Sequence, residues 1–180
     1  MTFGGLGNNL FNPALVGRAA LLVAFPAQMT TWPKVGQLGS YLDAETGATP
    51  LSIMKWAIKS GDASVLEGLP SSLDLFIGNH PDGAGAMGEI CALALIIGLC
   101  YMLWKKIITW HIPVSILGTV FVFAGLLHLA NPAYADPVTV LLTGGLMLGA
   151  IFMATDYVTS PMTAKGQIIY GVAIGFLTKL

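Results

Sequence analysis

Long apolar runs separated by short polar breaks dominate the chain, and their lengths match membrane crossings better than amphipathic helices packed in water. Residues 11–32 form a run of 22 with a single charge, Arg18. As a helix that run rises about 33 Å, enough for a ~30 Å hydrocarbon core. Residues 88–104, 112–129 and 138–155 supply 17, 18 and 18 positions, at the short end of the spanning range. A last apolar run begins at Gln167 and reaches Leu180 after 14 positions, about two-thirds of the ~20 residues a crossing needs. The pattern predicts an all-α polytopic membrane domain with four complete transmembrane helices and a truncated fifth. Met1 to Gly5 lead into the first run without the charged start and small-residue cleavage site of a signal peptide. The 180 residues are therefore expected to be one piece of a larger membrane protein.

Residues 33–87 are the longest stretch without a spanning run. Within them, Leu51, Ile53, Met54, Trp56, Ala57 and Ile58 recur at spacings that predict a short amphipathic helix over 50–60, with Lys55 and Lys59 four apart on its wetter face. That helix is expected to lie along the membrane surface. The Gly78-Asn79-His80-Pro81-Asp82-Gly83-Ala84-Gly85 stretch is turn chemistry.

Composition narrows the class. Hydrophobic residues make up 55% of the chain, charged residues 9%, and mean hydropathy is +0.76, against roughly a quarter charged in soluble domains. The net charge of −1 leaves no basic field for a phosphate backbone, which excludes nucleic-acid binding. Cys91 and Cys100 fall on opposite sides of one helix, and no metal-ligand spacing occurs. Lys105, Lys106 and His111 between the second and third runs, and Lys165 before the last, put those loops in the cytoplasm by the positive-inside rule. Segment 33–87 is then outside.

Three short motifs carry more information than the runs. They are Gly4-Gly5-Leu6-Gly7-Asn8-Asn9-Leu10-Phe11-Asn12-Pro13-Ala14-Leu15, Thr46-Gly47-Ala48-Thr49-Pro50, and Met153-Ala154-Thr155-Asp156-Tyr157-Val158-Thr159-Ser160-Pro161. In this order they resemble the signatures of the family that unites the D subunit of the Rnf ion-translocating electron transport complex with the B subunit of the sodium-pumping NADH:quinone reductase. The D-subunit branch fits better, because Pro50 and the stretch from Gly78-Asn79-His80-Pro81 to Gly88-Glu89 resemble it; the intervening 82–87 is longer than the family pattern. The resemblance implies about ten membrane helices in two halves, with an N-terminal half and the final helices lying beyond this chain. It also implies a redox-driven ion translocase of the bacterial inner membrane, with electrons relayed by FMN esterified through its phosphate to a threonine. Other membrane subunits and a flavin transferase are the implied partners. The B-subunit branch and a flavin-free solute channel or transporter are the alternatives; Gly-rich broken helices mark substrate sites in the latter.

By position in the motif, Thr49 is the implied acceptor, flanked by Thr46, Gly47 and Ala48; an ordinary turn is the plainer reading of the same residues. Arg18, alone in its run, is expected to face protein, a cofactor phosphate or a cavity, or to snorkel to the interface. Asn9, Asn12 and Asp156 fall on the cytoplasmic side by counting crossings. Their amide and carboxylate groups suit the edge of a flavin ring, although helix capping explains them equally well; the family implies a second, noncovalent flavin (riboflavin) in this kind of region. His128 is read as an interfacial hydrogen-bonder, Glu89 as a solvated helix start, and Gly144, Gly145 and Gly149 as sites of close helix packing.

Overall fold

The computed structural model describes residues 8, 11–32, 47, 49–78 and 90–179, leaving aside the side chains of Ala63 and Glu67. The described residues contain helices, turns and irregular segments and no strand. Asn9, Thr46, Ala48, Glu89 and the turn from 79 to 89 lie outside them.

The first apolar run forms two helices. Asn12 caps α1 (Pro13–Ala24), its side-chain oxygen accepting from the Ala14 and Leu15 amides, with Pro13 at the first helical position. The helix stops at Phe25 (φ −133°, ψ 61°), and α2 (Pro26–Thr30) starts anew. Pro26 has no N–H to continue the ladder, and its ring drives the preceding residue out of helical geometry. All of α1 is exposed.

Thr49 caps α3 (Pro50–Ser60), which ends at Gly61 in the left-handed conformation. A 3₁₀ turn (Ala63–Gly68) and α4 (Ser72–Ile77) follow. The predicted helix over 50–60 is present, and one side of it is packed against the rest of the protein. Met54 is 5% exposed and shares a core cluster with Val120, Ala124, Ala135 and Val140. One face of α3 meets the bundle because Pro50, Met54 and Ala57 are all buried, a stripe at spacings of four and three.

The second run becomes α5 (Ala92–Trp104) and the third α6 (His111–Ala130). Among the described residues α6 is the one helix both long and apolar enough to cross a membrane; α1 and α5 are shorter apolar helices. Ile112, Ile116, Val120 and Ala124 form its buried face, one residue per turn. Beside it runs α9 (Ala164–Lys179). The two are parallel: Thr109 donates to Gln167 Oε1 (2.9 Å), Gly171 faces Ser115, Gly175 faces Thr119, and Phe123 meets Phe176 edge to face at 5.4 Å. Glycine is required at this seam. A Cβ on Gly171 would come within 2.9 Å of Ser115 Cβ and 3.2 Å of the Ile112 carbonyl oxygen. The Ser115 and Thr119 hydroxyls donate to carbonyls of their own helix, which keeps the contact free of unpaired donors.

The fourth run is broken. Asp136 caps α7 (Pro137–Leu142) through the Val138 amide; Thr143 is extended, Gly144 has φ +68°, and α8 (Leu146–Leu148) leads into a π-helical turn (Gly149–Met153). Only glycine adopts such a φ without steric penalty. Gly144 therefore interrupts a helix rather than tightening a packing, and a Cβ at Gly149 would meet nothing within 4 Å. The close-packing glycines are Gly171 and Gly175, and also Gly98, whose added Cβ would meet Phe152 Cζ at 2.8 Å. The broken segment runs antiparallel to α6, pairing Val140 with Val120 at one end and Ala154 with Ile112 at the other. It runs parallel to α5, where Leu95 packs on Met147 and Ile151.

Candidate functional site

Thr49 is half-buried, and its Oγ1 accepts from the Ser52 amide at 3.3 Å while Ser52 Oγ donates to the Thr49 carbonyl at 2.7 Å. This is ordinary capping. Two consequences matter for chemistry. The Thr49 hydroxyl donates its own proton to no described residue, and it stands where the first-turn amides of α3 leave positive potential.

Two residues further on, Leu51 touches the broken helix: its Cδ2 would lie 3.6 Å from a Cβ on Gly144. One turn later the Thr143 hydroxyl, itself 5% exposed, sits 3.8 Å from Met54 Sδ and is shared between the Thr139 and Val140 carbonyls. The Thr139 carbonyl also keeps the Thr143 backbone amide, so the hydroxyl matters most to the Val140 carbonyl, which a continuous helix would have paired with the amide of Gly144.

Between α1, α3, the break and α9 lies a cavity of about 790 Å³. Leu51 and Met54 line it from α3, Gly144 and Gly145 from the break, and Tyr170 from α9. Its lining includes three basic residues, Arg18, Lys55 and Lys179, and no carboxylate. Arg18 is thus on a cavity wall, one of the positions expected for it.

Where this cavity reaches Leu15, Met153 and Tyr170, away from Thr49, Asn12 Nδ2 donates to the Met153 carbonyl across 141 positions of chain (3.1 Å). Asp156 stands three residues beyond Met153, its Oδ2 accepting from the Thr159 hydroxyl at 3.0 Å. Asn12 and Thr159 both line a second cavity of about 410 Å³, together with Met153 and Tyr170. Asn12 and Asp156 are therefore at one end of the bundle. The Asn12 amide is consumed by the cap and the cross-link, whereas Asp156 Oδ1 takes no hydrogen bond from a described residue.

Other candidates have structural roles. His128 Nδ1 lies 2.7 Å from the Tyr134 carbonyl; a carbonyl only accepts, so Nδ1 carries the proton. Cys91 and Cys100 are free thiols. Asp62 starts the 3₁₀ turn, and the Ser64 backbone amide, then its hydroxyl, hold that carboxyl below the usual range. No cluster of three or more potential metal ligands occurs among the described residues. Sequence reasoning did not single out Thr143, Lys55, Thr159 or Tyr170 as cavity residues. The Thr143-Gly144-Gly145 succession was the available signal for the break.

Comparison with known proteins decides the lineage. A family model described as the NQR2, RnfD, RnfE family matches residues 1–180. The chain belongs to that family. Among relatives, it is 45% identical to the D subunit of the Na(+)-translocating ferredoxin:NAD(+) oxidoreductase complex of Acetobacterium woodii, covering 99% of this chain and 50% of the relative. It is 44% identical to the D subunit of the proton-translocating ferredoxin:NAD(+) oxidoreductase complex of Clostridium ljungdahlii, covering 99% and 53%. With the D subunit of the ion-translocating oxidoreductase complex of Rhodobacter capsulatus it shares 43% identity, over 97% and 53%. The chain spans about half the length of these curated relatives.

Proposed function

We propose that this chain is part of the membrane subunit of a redox-driven ion translocase of the ferredoxin:NAD oxidoreductase type, carrying FMN esterified to Thr49. Its apolar segments cross the bacterial inner membrane, the first and fourth of them as interrupted helices, with Thr49 on the outer side. Alternating direction supports that topology. Taking α6 as running one way, α5 and the 137–153 segment run the other, α9 runs with α6, and α1 starts at the His111 end of α6, where Asn12 meets Met153. Lys105, Lys106 and Lys165 gather at that same end, which the positive-inside rule makes cytoplasmic.

The observation that carries the cofactor reading is the position of Thr49 at the first turn of an 11-residue helix, two residues before a wall of the larger cavity. The residues present fit the group. An ester oxygen at Thr49 is a poorer acceptor than a hydroxyl, and a phosphate there takes over the Ser52 amide and gains from the helix N-terminus. Leu51 and Met54 offer an apolar wall for a ring, and Lys55 supplies positive charge beside it. When bound, FMN supplies a one-electron relay between partner subunits. The chain's own residues hold the phosphate, shield the ring from lipid, and provide charge of the sign that a reduced ring attracts. The smaller cavity, lined by Asn12, Thr159 and Tyr170, is the proposed place for a second, noncovalent flavin, with Oδ1 of Asp156, the partner of Thr159, as the nearby acceptor.

The rival of a different class is a flavin-free channel or transporter, favoured by the broken 137–153 helix. One experiment separates them. Protein co-expressed with a flavin transferase is run on a denaturing gel. Fluorescence retained in the wild type and in Thr46→Ala, but lost in Thr49→Ala, is the expected result. A fluorescent Thr49→Ala band overturns the acceptor assignment, and a dark wild type favours the rival.

A further inference from the structure

The loop joining α5 to α6 has features that the redox reading does not use. Lys105 and Lys106 are both exposed, with no acidic residue between α5 and the end of α6. Lys106 holds φ +55°, the one non-glycine residue with positive φ among those described. That conformation ends α5: the Lys106 and Ile107 amides donate to the Leu103 and Met102 carbonyls, which turns both lysines out of the helix into the loop. Lys105 Nζ lies 5.5 Å from the Trp104 ring centroid and 6.0 Å from that of Tyr101, so the ammonium is held at the level of the aromatic rings. Trp104 is 78% exposed and Trp110 56%.

Below the loop the surface is apolar. Ile97, Tyr101 and Trp104 make an exposed stripe on α5. Exposed Val114 continues the apolar surface on α6. Lys165 joins the two lysines at this end, since Gln167 is bonded to Thr109. Against three lysines the described residues place one carboxylate here, Asp156, already bonded to Thr159. Asp62, Asp74 and Asp136 belong to the other end of the bundle.

From this combination we infer that the α5–α6 loop is a binding site for an anionic phospholipid, with the phosphate on Lys105 and Lys106, the glycerol region between Trp104 and Trp110, and an acyl chain along the Ile97–Tyr101 stripe. Aromatic rings fix the depth, and the paired ammonium groups select the negative headgroup. The inference rests on the membrane-spanning reading above but not on the flavin.

The test uses the full chain reconstituted in nanodiscs of equimolar phosphatidylcholine and phosphatidylglycerol, extracted, and weighed by native mass spectrometry to count retained lipids. The wild type is expected to retain phosphatidylglycerol preferentially, and Lys105→Gln with Lys106→Gln to lower that preference by roughly fivefold for each lysine removed. The double arginine variant keeps it, as does Lys59→Gln at the other end. Should the double glutamine variant fail to fold, Lys106→Gln alone is expected to give the single-lysine loss. Unchanged preference in the glutamine variants, or an equal loss in Lys59→Gln, overturns the site. Displacement of the lipid by inorganic phosphate also overturns it, by assigning the lysines to a free anion. Retention of neither lipid by any variant overturns the membrane-spanning reading itself, a failure distinct from loss of headgroup preference.

Discussion

Two neighbouring segments, α6 and residues 137–153, are read from sequence as equivalent crossings, yet one is a continuous helix of 20 residues and the other is three short pieces. Both are predominantly apolar and uncharged, and they pack antiparallel on each other. Hydropathy does not separate them. The difference lies in what each presses against. α6 meets α9 through Gly171 and Gly175, which let two regular helices approach closely. The broken segment meets α3, and there Gly144 turns through φ +68° while Thr143 closes the end of α7 with its own hydroxyl. An uninterrupted helix makes a scaffold; an interrupted one makes a cavity wall. The larger cavity lies at the interruption, beside Leu51 and two residues from Thr49.

Crowding the regular seam is the strongest way to break this comparison. Gly171→Ala puts a methyl against Ser115 and is expected to destabilise by about 1 to 3 kcal/mol, read as a lower midpoint of unfolding in detergent. Much of that loss should disappear in a Ser115→Ala background, because the pair is in direct contact. Equal cost in both backgrounds shows that this contact does not limit the approach of α6 and α9.

A somewhat smaller effect is expected at the break. Gly144→Ala asks an L-residue to hold φ +68°, at about 1 to 2 kcal/mol. The same substitution at Gly118, where an added Cβ meets nothing within 4 Å, is expected to be neutral or stabilising. If Gly144→Ala is as harmless as Gly118→Ala, the left-handed turn is not a feature of the folded protein.

Thr143→Val sharpens the comparison with the smallest change. It keeps the shape and removes the hydroxyl that serves the Val140 carbonyl where the backbone ladder stops, so a loss of about 0.5 to 1.5 kcal/mol is expected. Thr119→Val on α6 removes a similar bond, to Ser115, but inside an intact ladder, where the carbonyl keeps its backbone partner and the cost is lower. Equal losses at the two sites indicate that α7 does not depend on Thr143 for its ending.

Much of the architecture was legible in the sequence because its causes are local. Capping was one of the readings of Asn12 before Pro13, and Asn12 caps as its residue type requires. Run length by itself makes residues 11–32 one helix, and it is wrong there because the backbone chemistry of Pro26 forbids a smooth continuation. The candidate site was legible in part. Thr49 and the pairing of Asn12 with the Asp156 end rest on short motifs and on counting crossings. Lys55, Thr143 and Tyr170 carry no local mark.

Hydrophobic run length, the proline and asparagine caps and the lysine loops were determined by the sequence alone, since each depends on a residue and its near neighbours or on partition between water and lipid. Tertiary structure alone decided that α3 enters the bundle through Met54, that Gly144 breaks a helix while Gly171 joins two, and that Arg18, Lys55 and Lys179 line one cavity. A glycine reads the same in either role. Its consequence is set by the atoms brought against the missing Cβ, and those come from residues distant in the chain.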